Sequence, residues 1–273
     1  GNRVVYRAAL AKARRWWSVG LSFPKPALRW QLPPRELREW LLSSACPAGG
    51  LLSHYVYDIE TDGTETLRCR IRCIGIGKVP VGWVPACGLG EVVGISFLDR
   101  KTGEPLWSDA DLGAILDILT EWAASPEPKV GHNSVSFDNA VTAHRLGLDV
   151  RPNRDTLILA AHWTPDIRRA LGILGSVLTD IEDWKSDHDG AKIATSAATN
   201  EELVAYCACD VAVTAAVEVD LAAAARANGA ADALPPELRP EGWPADRPWT
   251  LLEVDHFAVE MCARMHETGL LLD

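Results

Sequence analysis

YVYDIETDG, residues 55–63, places two carboxylates, Asp58 and Glu60, at the end of an apolar and aromatic run typical of a buried β-strand. Alternate residues of a strand share one face, so we expect both carboxylates on the same side of a sheet. Two acids this close raise each other's pKa unless a cation compensates their charge. Hard divalent ions such as Mg²⁺ take oxygen ligands and would compensate it. Taken alone, the motif is better explained by a solvated acidic pair at a strand–turn junction.

Two further stretches carry isolated acids. GHNSVSFDNA, residues 131–140, places Asp138 at a predicted helix start, where the helix dipole favours a carboxylate for function or for stability alone. EELVAYCACDVAVT, residues 201–214, places Tyr206 and Asp210 at i and i+4 on one helical face. Asp210 is the lone acid of an uncharged run, and burying it is costly unless it is paired or binds a metal. A core tyrosine and a solvated aspartate are the alternative.

Apolar periodicity and turn residues predict an alternation of strands and helices. The predicted strands are 51–60, 71–77, 91–99 and 129–133, and the predicted helices are 108–122, 136–146, 155–163, 167–178, 199–227 and 250–269. Capping pairs mark three helix starts: Ser108 with Asp111, Thr199 with Glu202, and Thr250 with Glu253. Residues 185–198 are predicted to form a loop. This order of elements favours a layered α/β or α+β fold.

Charge is unevenly distributed along the 273 residues, whose net charge is −10. Residues 1–35 contain eight basic side chains and no acidic one: Arg3, Arg7, Lys12, Arg14, Arg15, Lys25, Arg29 and Arg35. The acidic remainder excludes a protein that holds duplex DNA by overall charge. The basic start is typical of a solvated helix, a nucleic-acid arm or an organelle transit sequence. The seven cysteines show no paired CxxC spacing, which favours reduced thiols in a cytosolic protein.

Taken together and in this order, Asp58-x-Glu60, Asn133 with Phe137-Asp138, and Tyr206-x-x-x-Asp210 resemble the three motifs of DEDDy 3′→5′ exonucleases. The resemblance is strongest to the proofreading domain of family A DNA polymerases of the phage and mitochondrial types, which implies a ribonuclease H-like fold: a mixed central sheet flanked by helices. It divides the chain into four parts. These are a basic N-terminal segment (1–50), an exonuclease domain (51–228), a Pro-rich linker (229–249) and a helix leading into an absent polymerase domain (250–273).

The resemblance also implies roles for the site residues, with two Mg²⁺ or Mn²⁺ ions as cofactors. Asp58 would bridge both ions, Glu60 and Asp210 would complete the first site, and Asp138 would hold the second. Tyr206 would orient the attacking water. Asn133 and Phe137 would contact the substrate, with Ser134 as a substitute for Asn133, and Phe137 is equally well explained by core packing.

The implied reaction is hydrolysis of the terminal phosphodiester of a single-stranded or frayed DNA 3′ end, releasing nucleoside monophosphates. The implied partners are that DNA end and a polymerase domain or subunit. We expect no membrane association, and we expect a location in the cytoplasm of a bacterium or phage-infected host, or in an organelle. The alternatives are a stand-alone exoribonuclease that acts on RNA 3′ ends and a non-catalytic scaffold. Five basic residues could contact phosphates or serve only surface solubility: Arg145, Arg151, Arg154, Lys185 and Lys192.

Overall fold

A six-stranded mixed sheet forms the centre of the protein, in the strand order β1-β4-β3-β2-β5-β6. The structure is a computed structural model that describes residues 2–19, 23–151, 153–164, 168–181, 184–185, 199–245 and 247–268. The strands are β1 (Ala27–Trp30), β2 (Leu52–Thr61), β3 (Ile71–Pro80), β4 (Glu91–Ser96), β5 (Lys129–Gly131) and β6 (Asn153–Asp155). Strands β2, β3 and β4 are antiparallel neighbours, whereas β1 pairs parallel with β4, β5 with β2, and β6 with β5.

Helices cover both faces of this sheet. They are α1 (Asn2–Val19), α2 (Pro34–Leu42), α3 (Asp109–Ala124), α4 (Asp138–Leu146), α5 (Thr156–Trp163), α6 (Leu171–Leu178), α7 (Asn200–Ala227) and α8 (Leu251–Thr268). Short 3₁₀ turns lie at Pro85–Cys87 and Pro236–Leu238. The α/β fold with a mixed central sheet flanked by helices, which the sequence resemblance implied, is confirmed.

Strand β2 contributes to a different core on each face. Tyr55, Tyr57 and Ile59 pack with α2 and α3 on one side, where the Tyr57 ring meets Trp122 edge-on at 5.6 Å between ring centroids. Val56 packs on the other side against α7. The period of two therefore places Asp58 and Glu60 on one face, as the sequence predicted, and this face points toward α7.

Helix α7 lies directly against the sheet, where β3 and β4 carry glycines instead of side chains. A Cβ atom on Gly94 would lie 2.0 Å from Cγ1 of Val204, and one on Gly75 would lie 2.9 Å from Sγ of Cys207. The helix is 28 residues long and begins with the predicted capping box of Thr199 and Glu202. This close contact determines the distance between the side chains of α7 and strand β2.

The N-terminal segment, residues 1–50, joins the same fold. Strand β1 extends the sheet beside β4, and α2 packs against α3 through the buried Leu37 and Leu41. Helix α1 is attached near α6, where the ammonium group of Lys12 donates to the carbonyl oxygens of Ser176 and Ile181 at 2.8 and 2.9 Å. The sequence did not predict β1 or α2.

Some predicted boundaries differ from the observed ones. The strand expected over 91–99 ends at Ser96, and the helix expected from residue 167 begins at Leu171. Of the expected loop 185–198, only Lys185 belongs to the described residues, and 186–198 lie outside them. The predicted end of the last helix at Gly269 also lies outside them.

The Pro-rich segment predicted to be a linker, residues 229–249, contacts α8 through its described residues. Its Trp243 ring packs against Trp249 and against Phe257 of α8, with centroid distances of 4.9 and 5.2 Å. Among the helices that the structure describes, none has both the length and the apolar composition needed to cross a bilayer.

Candidate active site

Strand β2 places Asp58 and Glu60 next to each other on the face that α7 covers. Both side chains are partly buried. Across the strand pair they face Gly75 and Cys73 of β3, respectively, and Cys207 and Val211 of α7 lie over Gly75. Potential ligand atoms of Asp58, Glu60 and Cys207 lie within 4.8 Å of one another. Two carboxylates and one thiol therefore meet between β2 and α7.

Helix α7 contributes Tyr206 and Asp210, one turn apart. Asp210 is almost entirely buried, with 4% of the residue exposed. Its Oδ1 accepts a hydrogen bond from Nε1 of Trp184 at 2.6 Å, and its Oδ2 forms an ion pair with Nζ of Lys185 at 2.6 Å. The same ammonium group donates to the hydroxyl oxygen of Tyr206 at 3.0 Å.

Asp138 reaches the cluster from the first turn of α4. It is 5% exposed, and its Oδ1 accepts a hydrogen bond at 3.1 Å from the backbone N–H of Ile59, the residue between Asp58 and Glu60. This bond attaches the start of α4 to the end of β2. The structure thus brings together all five residues predicted as catalytic, from one strand and two helices.

Burial and mutual repulsion raise the pKa values of these acids. Burial, followed by the charges of Asp210, Asp138 and Glu60, raises the pKa of Asp58 well above its usual range. Burial and then the charge of Asp210 raise the pKa of Glu60 from 4.5 to about 8. Burial raises the pKa of Asp138 from 3.8 to about 7, although the Ile59 N–H group lowers it. Each of these acids is therefore harder to ionise than a solvated carboxylic acid, and nearby positive charge would favour the ionised forms. A set of mainly hard oxygen donors suits divalent cations.

A tight loop after β5 leads into α4 and is organised by Asp155. The Oδ1 atom of Asp155 accepts from the backbone N–H of Asn133 at 2.8 Å, and its Oδ2 accepts from that of Val135 at 3.0 Å. Asp155 also caps α5 through the N–H of Leu157 at 2.8 Å. Asn133 has the left-handed backbone conformation (φ 61°), which asparagine tolerates better than most residues. From sequence, Asp155 was only the start of a predicted helix, and its role in the loop was missed.

The residues predicted to contact substrate are engaged within the protein. The side-chain oxygen of Asn133 accepts from the hydroxyl of Ser136 at 2.6 Å. Phe137 is partly buried and packs against the core on the α3 side of the sheet, which is the alternative given above for this residue. Ser134 is fully buried and donates to Oδ1 of Asn153 at 3.1 Å.

Four of the five basic residues considered for either phosphate contact or surface solubility have partners within the fold. Arg145 donates to the carbonyl oxygen of Leu67 at 2.8 Å. Arg151 pairs with Asp149 and with Glu260, and Arg154 lies 3.6 Å from Glu218. Lys185 contacts Asp210 and Tyr206, and Lys192 lies outside the described residues.

Two features of the site were not expected from sequence. Cys207 follows Tyr206 directly, and its thiol donates to the backbone oxygen and to Oδ2 of Asp58, both at 3.5 Å. The i,i+3 spacing of Cys207 and Asp210 was a usable signal that both face the sheet. The contacts of Trp184 and Lys185 with Asp210 had no such signal, because they join residues 26 and 25 positions apart.

No protein-family model and no curated protein matches the chain. Solved structures do match it in fold. One, described as the apo form of a nuclease, has a TM-score of 0.58 at 16% identity and covers 91% of this chain and 95% of its own. Brucella melitensis NrnC with bound Mg²⁺ has a TM-score of 0.56 at 18% identity, covering 89% and 94%. Escherichia coli RNase D, described as an exoribonuclease involved in structured RNA processing, has a TM-score of 0.54 at 16% identity, covering 87% of this chain and 50% of its own. At these identities the likeness shows the fold.

Proposed function

We propose that this chain is a metal-dependent 3′→5′ exonuclease that removes nucleotides from the end of a single-stranded nucleic acid. The observation that carries the proposal is the convergence of Asp58, Glu60, Asp138 and Asp210, with Tyr206 beside them, in the sequence order of the DEDDy motifs. The fold shared with structures described as a nuclease and an exoribonuclease supports it. A non-catalytic scaffold would have no need for buried acids whose pKa values are raised by one another.

The carboxylate cluster fits two divalent cations. Asp58, Glu60 and Asp210 would hold the first ion, and Asp58 with Asp138 would hold the second. When bound, the ions supply charge that stabilises the attacking and leaving oxygens of an in-line displacement at phosphorus. Mg²⁺ bound to the NrnC neighbour supports the assignment of a hard divalent ion.

Tyr206 would position the attacking water through its hydroxyl group. Burial, followed by the charge of Asp210, raises the pKa of Tyr206 to about 12, although Lys185 lowers it. The phenol therefore stays protonated at neutral pH and acts by orienting the water and not as a base. Its hydroxyl oxygen accepts a hydrogen bond from Lys185 at 3.0 Å, which leaves the hydroxyl proton available to a water.

The comparisons support RNA or a short oligonucleotide as the substrate. RNase D is described as an exoribonuclease, and another structure of Brucella melitensis NrnC is bound to pGG. Proofreading of DNA 3′ ends within a family A polymerase is the second candidate, and only the sequence resemblance supports it. A location in the cytoplasm stays a prediction.

The test is nucleotide release from 5′-labelled single-stranded RNA and DNA of the same sequence, with Mg²⁺ or Mn²⁺. We expect a ladder that shortens from the 3′ end and loss of activity in EDTA. Asp58→Asn should lower the rate at least about a hundredfold, because it removes the charge shared by both ion sites. Asp117→Asn, on the exposed side of α3, is the matched control and should leave the rate unchanged.

Equal rates for wild type and Asp58→Asn would refute the catalytic assignment. A faster rate on RNA than on DNA would favour the exoribonuclease reading, and the reverse would favour proofreading.

A further inference from the structure

The dipeptide Trp184–Lys185 holds both oxygens of the Asp210 carboxylate. The indole N–H of Trp184 donates to Oδ1 and the ammonium group of Lys185 donates to Oδ2, each at 2.6 Å. The side chains are packed on α6, where glycines leave space for them. A Cβ atom on Gly175 would lie 2.8 Å from Cη2 of Trp184, and one on Gly172 would lie 3.3 Å from Cδ of Lys185.

Lys185 also contacts Tyr206 in two ways. Its ammonium group donates to the hydroxyl oxygen at 3.0 Å and lies 5.1 Å from the centroid of the ring. The lysine side chain is 31% exposed, whereas that of Asp210 is 6% exposed, so the pair is only partly screened by solvent. One positive charge thus joins a proposed metal ligand to the proposed water-positioning residue.

We infer that Lys185 is a positioning residue that serves as a built-in cation for Asp210 and competes there with a divalent ion. This inference rests on the proposed function, because it requires Asp210 to be a metal ligand. A divalent ion approaching Oδ2 meets the repulsion of an ammonium group already bonded to that atom. Binding of the ion therefore requires Lys185 to withdraw, and in the absence of metal Lys185 keeps Asp210 and Tyr206 in place.

Removing this charge should have opposite effects with and without metal. Lys185→Met leaves Asp210 buried without its ion pair, so the metal-free protein should become less stable. The same change leaves a more negative and uncontested site, so divalent ions should bind more tightly, by about tenfold or more. Replacing a lysine that only packs against α6 would lower the stability of the metal-free protein without tightening the binding of divalent ions.

The experiment measures the dissociation constant of Mn²⁺, from the electron paramagnetic resonance signal of the free ion, without substrate. We expect Lys185→Met to bind Mn²⁺ at least about tenfold more tightly than wild type and Lys185→Arg to bind as wild type does. Arg35→Met removes the same charge from a side chain that is 90% exposed, and it should also match wild type. Lys185→Gln, which keeps a donor for Asp210, replaces Lys185→Met if that variant does not fold.

Unfolding temperatures provide the second measurement. In EDTA, Lys185→Met should unfold below wild type, and Mn²⁺ should raise its unfolding temperature by more than it raises that of wild type. Equal or weaker Mn²⁺ binding by the folded Lys185 variants, beside clear binding by wild type, would overturn this inference alone. An absence of Mn²⁺ binding in every protein, wild type included, would instead overturn the metal-dependent function.

Discussion

Replacing Glu60 with Gln should stabilise the metal-free protein in alkaline solution, although it removes a proposed metal ligand. Burial, followed by the charge of Asp210, raises the pKa of Glu60 from 4.5 to about 8. Because the folded-state pKa lies above the unfolded one, the folded protein binds more protons in this interval. Glu60 therefore does not lower the stability of the folded protein below pH 4.5. Its ionisation lowers the stability progressively as pH rises, and the loss is complete above pH 8.

The size of the effect follows from that interval. The difference between the ordinary pKa of 4.5 and the folded-state pKa of about 8 corresponds to a loss of at most ~5 kcal/mol in folding stability. The neighbouring acids share the protonation and Lys185 offsets part of the charge, so we expect the variant to gain about 2 kcal/mol at pH 8. For a chain of 273 residues this raises the unfolding temperature by about 4–8 °C. Near pH 5 most of the gain should disappear.

The assay is thermal unfolding followed by circular dichroism, in EDTA at pH 5 and pH 8. Glu241→Gln, at an exposed position in the linker, is the matched control and should follow wild type at both pH values. Adding Mg²⁺ at pH 8 should reduce or reverse the advantage of the variant, because wild type has one more carboxylate ligand. A gain of equal size at pH 5 and pH 8, or no gain at pH 8, would refute the electrostatic reasoning.

Three further predictions concern the water-positioning residue, the packing of α7 and the loop before α4. Tyr206→Phe should slow nucleotide release about 10–100-fold while the Mn²⁺ dissociation constant stays within about twofold, and an unchanged rate would contradict the role given to the hydroxyl. Gly94→Ala should lower the free energy of unfolding, measured in urea, by about 3 kcal/mol, because its Cβ would lie 2.0 Å from Val204. Gly113→Ala in α3, where a Cβ would meet nothing within 4 Å, should raise it by ~0.5–1 kcal/mol. Equal effects of the two changes would contradict the packing argument. Asp155→Ala should lower the free energy of unfolding by about 3 kcal/mol and slow nucleotide release, because three backbone N–H groups lose their acceptor. A loss below about 1 kcal/mol would show that water replaces the carboxylate as acceptor.

Sequence reasoning located the acidic cluster because local periodicity determines which way its members point. Asp58 and Glu60 share a face through the period of a strand, and Tyr206 and Asp210 share one through the period of a helix. The helix start at Asp138 and the end of α4 at Gly147, which has a left-handed backbone (φ 69°), were also marked by local residue types.

Features that depend on distant contacts were not predictable in this way. Strand β1 has four residues with prolines nearby, and only its pairing with β4 makes it a strand. The orientation of Asn133 depends on Asp155, which lies 22 residues further along the chain. The contact of Lys185 with Asp210 joins residues 25 apart, and the Lys185 side chain lies beside Gly172 of α6.

The position of β1 has a practical consequence for attempts to isolate the catalytic part of the chain. A shortened protein that begins at β2 would lack β1 and would leave the backbone N–H and C=O groups along one side of β4 without partners. Such an unpaired sheet edge is a template onto which another copy of the chain can add a strand. Trimming the chain to its motifs would therefore favour self-association and precipitation, and residues 27–30 should be retained in any shortened version.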